Sequence, residues 1–265
     1  MGLAQLTLSV TILGMKALII ANWKMNPATY KEAKSLAETT KAVSAKAKDV
    51  TVVIAPPSLY LRELSKSKTT KISWAVQHAR TNDTGANTGD ISIAQSKDSG
   101  ATYVIMGHAE RRDMGETDQS VKTKLVRALE LNMTPIVCIG EPTRAADEVG
   151  AHFEYVRGQI RTIFSGISVP ALKKILIVYE PRWTIGGTVS MTPHDMHEMS
   201  VFIRKVLVES HGESGLQVQV LYGGSINETN AVSMLQNGDV KGLLIGHASV
   251  DAQQFSTLIR SIQTA

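Results

Sequence analysis

Three residues with acid–base or charge-stabilising chemistry each stand just beyond a short apolar run: Lys24 in NWKMN, His108 in MGHAERR and Glu180 in VYEPRW. A carboxylate at the end of a buried run is costly unless it is paired or used. Glu180 is therefore read either as a general base whose pKa is raised by partial desolvation, or as a structural carboxylate paired with Arg182. His108 follows Gly107 at a turn where a short helix can begin. A helix N-terminus disfavours an imidazolium, so the neutral ring can polarise a carbonyl; a satisfied structural histidine is the alternative. Lys24, two residues after Asn22, supplies a point charge for a phosphate or a developing enolate oxygen, or else snorkels at the surface. Glu110 can hold Lys24 or act as a second acid–base group, and Arg111 and Arg112 can pair with it or with other carboxylates.

The elements that must carry these residues are short. Eight β-branched apolar runs recur: 17–21, 51–55, 72–76, 102–106, 134–138, 175–179, 218–221 and 242–245. Each is nearly continuous in apolar character, as a strand buried on both faces should be. Helical spacing fills the gaps, as in Val121, Leu125, Ala128 and Leu129, and in Met196, Met199, Ile203 and Val206. Thr192 caps the second of these, with Pro193 in its first turn and Asp195 near the positive end of its dipole. The spacing Ser225-Ile-Asn-Glu228 predicts a capping box opening a further helix. Eight strands alternating with helices predict an α/β fold, a single-domain (β/α)8 barrel with a parallel sheet. In such a barrel chemistry gathers at the C-terminal ends of the strands, where Asn22, Lys24, His108, Glu110 and Glu180 fall. Gly186-Gly187, Gly223-Gly224-Ser225 and Gly246 follow runs six, seven and eight; their backbone amides suit a phosphate.

Composition narrows the alternatives. The chain has 265 residues, 43% hydrophobic and 20% charged, enough apolar mass for a core. One cysteine, Cys138, excludes an intramolecular disulfide framework and a multi-cysteine zinc site. Cys138 is expected as a small buried hydrophobe. The net charge of +4 is spread singly or in pairs such as Arg111-Arg112, so no nucleic-acid partner is expected. Neither a dinucleotide fingerprint nor a Walker A sequence occurs. His194 and His197 lack the further ligands of a metal site, and no metal or cofactor is expected; His78, His152 and His211 are expected on loops or the surface. Residues 1–14 carry no charged side chain but lack a basic start and a cleavage site, and Lys16 ends the apolar stretch. They are read as a leader outside the domain 15–265, with no membrane association and a cytoplasmic location expected.

Taken in order, ANWKMN (21–26), APPSLYL (55–61), GANTGDIS (85–92), GATYVIMGHAERR (100–112), CIGE (138–141), YEPRWTIG (179–186), LYGGSI (221–226) and IGHAS (245–249) resemble the triosephosphate isomerase family from Met15 to the C-terminus. The resemblance implies cofactor-free interconversion of dihydroxyacetone phosphate and D-glyceraldehyde 3-phosphate. It implies Glu180 as base, neutral His108 as electrophile and proton relay, Lys24 with Asn22 stabilising the enediolate, and Glu110 buttressing Lys24. Gly186, Gly224, Ser225, Gly246 and His247 would bind the phosphate. A lid from Pro181 to Met191, including Trp183, Ile185, Gly187 and Thr188, would close over it. The loop Gln77–Asp90 would enter a second subunit, with Gln77, Thr88 and Arg111 at the contact of a homodimer.

The sequence departs from the family pattern at several points. The lid reads Ile185-Gly186-Gly187-Thr188-Val189 where the family usually has Ile-Gly-Thr-Gly-Lys, and Gly246-His247 stands for Gly-Gly. Ala109 replaces the usual serine, Asn87 the usual bulky residue at the loop tip, and the segment after HAERR is one residue short. These changes leave two alternatives beside the active isomerase: an impaired barrel homologue that binds phosphate or a partner, and a barrel isomerase of another phosphorylated substrate.

Overall fold

A computed structural model describes residues 16–66, 71–144, 150–187 and 189–264. The expected leader, residues 1–14, and Thr188 lie outside the described residues. Eight strands form the barrel: β1 (Ala17–Asn22), β2 (Val50–Ala55), β3 (Ile72–Val76), β4 (Tyr103–Met106), β5 (Thr134–Ile139), β6 (Leu176–Tyr179), β7 (Gln219–Tyr222) and β8 (Gly242–Ile245). They pair in sequence order, all parallel, and β1 closes on β8 with Leu18 opposite Gly242 and Ala21 opposite Ile245. The expected (β/α)8 barrel is therefore the observed fold.

The reason for the unbroken apolar runs is a core on each side of the wall. Ile20, Val53, Ile105, Ile136, Val178, Leu221 and Leu244 pack together inside the barrel. Their neighbours Ile19, Val52, Ile54, Val104, Val137, Ile177 and Val220 face outward and join the helices in a larger core. With a period of two and both faces buried along most of their length, the strands are nearly continuous in apolar residues.

The helices bear out the spacing. Val121, Leu125 and Ala128 are buried on the helix Asp118–Glu130, and Met196, Met199, Ile203 and Val206 on the helix Pro193–His211. Thr192 caps the latter, its side chain accepting the Asp195 N–H at 3.1 Å, with Pro193 in the first turn. The box at Ser225–Glu228 does not form. The Ser225 hydroxyl instead donates to the Gly187 carbonyl at 3.1 Å, and Glu228 accepts from the Gln254 amide at 2.9 Å. The next helix starts later, at Ala231–Asn237, after a turn in which Asn227 Oδ1 accepts the Thr229 N–H. A side chain captured by a tertiary partner cannot also cap. The boxes that do form are Thr29 with Glu32 and Ser92 with Gln95.

Candidate active site

The inward register decides which polar groups reach the barrel mouth. On β6, Leu176 and Val178 point inside, and Glu180, the next residue of that parity, extends past the strand into the same space. Its carboxylate is buried; Oε2 accepts the Ala109 N–H at 2.9 Å and Oε1 lies 3.1 Å from His108 Nε2. Burial raises the Glu180 pKa, against the opposing pull of His108, the Ala109 N–H and Lys24. Arg182 is not its partner: that guanidinium pairs with Asp113 on the helix Ala109–Asp113.

His108 caps the helix Ala109–Asp113, its Nδ1 accepting the Glu110 N–H at 3.2 Å. A ring whose Nδ1 accepts holds its proton on Nε2, the nitrogen that faces Glu180. Lys24 Nζ reaches Glu110 Oε1 at 2.6 Å. This ion pair and His108 hold the Glu110 carboxyl below the usual carboxylate range although burial acts to raise it.

Lys24 stands in the left-handed region at φ 52°, and neighbouring side chains hold its backbone on both sides. Its N–H donates to Asn22 Oδ1 at 3.1 Å, and its carbonyl accepts from the Gln77 amide at 2.8 Å. Gln77 thus works within its own chain, donating also to the Ala55 carbonyl at 2.8 Å. Asn22, buried at the end of β1, is tied to Lys24 through its Oδ1.

That cleft, about 560 Å³, is lined by Lys24, His108 and Glu180 and by the glycine turns after β6, β7 and β8: Gly186, Gly187, Gly224, Ser225, Gly246 and His247. Gly224 has no alternative, since a Cβ there would lie 2.0 Å from the Tyr222 hydroxyl oxygen. Gly186 takes a φ of 72°. Backbone amides beside an ammonium and an imidazole form a cradle for a small anionic substrate.

The segment 181–191 is held at both ends. Glu141 accepts from the Tyr179 hydroxyl at 2.7 Å and the Trp183 indole at 2.9 Å, and its carbonyl takes the Arg182 N–H at 3.0 Å. Burial and then Glu141 push the Tyr179 phenol far up, so it remains a donor. At the other end the Met191 N–H donates to the Tyr222 hydroxyl at 3.0 Å, with Ser190 Oγ 3.3 Å from it. Between these anchors Pro181 is buried, Ile185 borders the cleft, and Gly186, Gly187 and Val189 are exposed. Glu141 and Tyr222 stand in the motifs CIGE and LYGGSI but are not singled out by sequence; the available signal was a polar residue at or just past a strand's C-terminal end.

Other expectations resolve simply. Cys138 is buried below Glu180, with its thiol pKa pushed well up by burial and then by Glu180. Thr88 is exposed on its loop. Arg111 Nη2 lies 2.9 Å from His78 Nε2. His78 lies on the loop after β3, as expected, and is half-buried between Arg111 and Lys124. His194 makes its one ion pair with Asp195, at 3.7 Å.

Comparison with known proteins agrees with this geometry. The family model described as triosephosphate isomerase matches residues 17–262. A triosephosphate isomerase of Endomicrobium trichonymphae is 36% identical over 247 residues, covering 92% of this chain and 98% of that protein. One of Herminiimonas arsenicoxydans is 38% identical over 248 residues, covering 93% and 99%. One of Moorella thermoacetica is 35% identical over 245 residues, covering 92% and 98%.

Proposed function

The chain belongs to the triosephosphate isomerase family, and on that premise we propose that it interconverts dihydroxyacetone phosphate and D-glyceraldehyde 3-phosphate by cofactor-free proton transfer through an enediol(ate). The observation that carries the reading is the Glu180 carboxylate beside the Nε2–H of His108, in one cleft with Lys24. Glu180 takes the proton α to the carbonyl and returns it to the neighbouring carbon, its basicity raised by burial. The His108 Nε2–H polarises the carbonyl and then relays protons between the two oxygens. Lys24, held by Glu110 and Asn22, stabilises the negative charge of enediolate and phosphate.

The phosphate sits on the amides of Gly186, Gly224, Ser225, Gly246 and His247. The segment from Pro181 to Met191, with Trp183, Ile185, Gly187 and Thr188, closes over it and keeps water from the intermediate. The enzyme acts as a homodimer through the Gln77–Asp90 loop, with Gln77, Thr88 and Arg111 at the contact. Exposed Met25 and Met114 near the loop's base support this assembly. A cytoplasmic location goes with an activity of glycolysis, and neither a membrane nor a nucleic acid is part of the proposed reaction.

A coupled assay tests the reading: purified protein should turn over glyceraldehyde 3-phosphate, and Glu180→Gln should abolish that turnover. The altered lid and His247 favour one second reading, an impaired homologue retained as a phosphate- or partner-binding protein. A wild type as inactive as Glu180→Gln, yet still binding inorganic phosphate, selects the second reading over the first.

A further inference from the structure

Strand alternation alone would misdirect His108. On β4, Ile105 points into the barrel while Val104 and Met106 point outward. His108 shares the outward parity, yet its ring lies in the cleft against Glu180. The reversal occurs at Gly107, which takes a φ of 74°. A glycine is free to adopt many other conformations, so something must hold this one.

We propose that Glu116 and Arg112 are positioning residues that grip the two hydrogen-bonding groups of Gly107 and so turn His108 into the catalytic cleft. Glu116 Oε2 accepts the Gly107 N–H at 2.9 Å, and Arg112 Nε donates to the Gly107 carbonyl at 2.7 Å. Both side chains are nearly buried, at 4% and 8% exposure. Each is braced from elsewhere: Glu116 Oε1 by Lys124, and Arg112 by Asp118 at 2.6 Å and the Cys138 carbonyl of β5 at 3.1 Å. A guanidinium suits the second task because its fork donates in three directions within one plane. From Gly107 the constraint passes to the His108 ring, fixed by the Glu110 N–H on Nδ1, and leaves Nε2 facing Glu180. Neither residue touches the cleft; both act through the backbone.

The kinetic part of the test rests on the isomerase reading above, and the spectroscopic part does not. Glu116→Ala, Glu116→Gln and Arg112→Lys are compared with wild type by turnover, thermal midpoint and the NMR resonances of the His108 imidazole nitrogens. Glu116→Ala and Arg112→Lys should lower kcat by on the order of 10²-fold, as a misplacement of about 1 Å does. They should shift the His108 resonances and leave KM within about threefold, because no phosphate-cradling residue is touched. Glu116→Gln, which loses the Lys124 pairing but keeps an oxygen for the Gly107 N–H, should recover most of the kcat lost in Glu116→Ala even if its midpoint also falls. A merely structural role predicts lower midpoints with wild-type kcat per folded molecule and unmoved His108 resonances in Glu116→Ala and Arg112→Lys, which overturns the proposal. If Glu116→Ala does not fold, Arg112→Lys decides alone on the same readouts. If wild type shows no turnover, the isomerase reading fails, while unmoved resonances still overturn the clamp and shifted ones still support it.

Discussion

His108 Nε2 stands 3.1 Å from Glu180 Oε1, two strands away around the barrel, while Glu180 Oε2 is held by the N–H of Ala109, the residue next to that histidine. One short turn therefore supplies both the imidazole beside the Glu180 carboxylate and a backbone restraint on that carboxylate, so the two groups cannot drift apart independently.

Glu180→Gln should lower kcat by at least the 10²–10⁴ typical of a general base. It should also stabilise the fold at neutral pH. A carboxyl whose folded pKa is raised contributes stability below the ordinary carboxylate range and loses it as pH rises through the raised value. The melting difference, variant minus wild type, should thus be positive near pH 8 and shrink toward pH 4. A difference independent of pH argues against a desolvated base.

The Lys24–Glu110 pair separates stability from activity. Its side chains are 30% and 52% exposed, so breaking it should move stability by no more than about 1 kcal/mol. Lys24→Met should nevertheless cost on the order of 10²–10³ in kcat/KM, and Glu110→Gln less. Denaturant titration alongside kinetics checks both halves, and a stability loss that tracks the activity loss would refute the assignment.

Tyr222→Phe keeps the buried ring and removes the hydroxyl that receives the Met191 N–H. Leaving that N–H unpaired should cost about 1–3 kcal/mol and loosen the C-terminal anchor of the segment 181–191. Faster hydrogen exchange at Met191 with a lower kcat is the expected pair of results.

Gly107→Ala should be poorly tolerated. The left-handed backbone alone costs on the order of 1–3 kcal/mol for a residue with a side chain, and the new Cβ would lie 2.7 Å from the Cys138 carbonyl oxygen. A stable, fully active variant would mean the turn is looser than its contacts imply.

His78 should make the fold acid-sensitive. Burial first, then Lys124 and Arg111, pull its pKa down to about 4, with Glu116 and Asp90 opposing. As pH falls below the ordinary histidine value the unfolded chain takes up a proton that the folded one refuses. Stability should therefore decline from about pH 6.5 toward 4. Unfolding curves of His78→Gln should lack that part of the decline.

The sequence by itself determined the barrel and most of the cleft. All eight strands were legible because both faces of each are buried, leaving apolar runs bounded by polar punctuation. Glu180 and the glycine turns were legible because they stand directly after those runs, and the inward parity of Leu176 and Val178 carries Glu180 into the mouth without further help. The tertiary structure alone decided what depends on partners far apart in the chain. Ser225 matched a capping pattern, but its hydroxyl is taken by Gly187. Arg182 stood two residues from Glu180 and pairs with Asp113. Gln77, 53 residues further along the chain, holds the Lys24 carbonyl. His108 faces Glu180 only because Gly107 reverses the strand's alternation between Glu116 and Arg112. Local spacing encodes which face is buried; which hydrogen-bonding group meets which is settled only when the wall closes and competing partners come within reach.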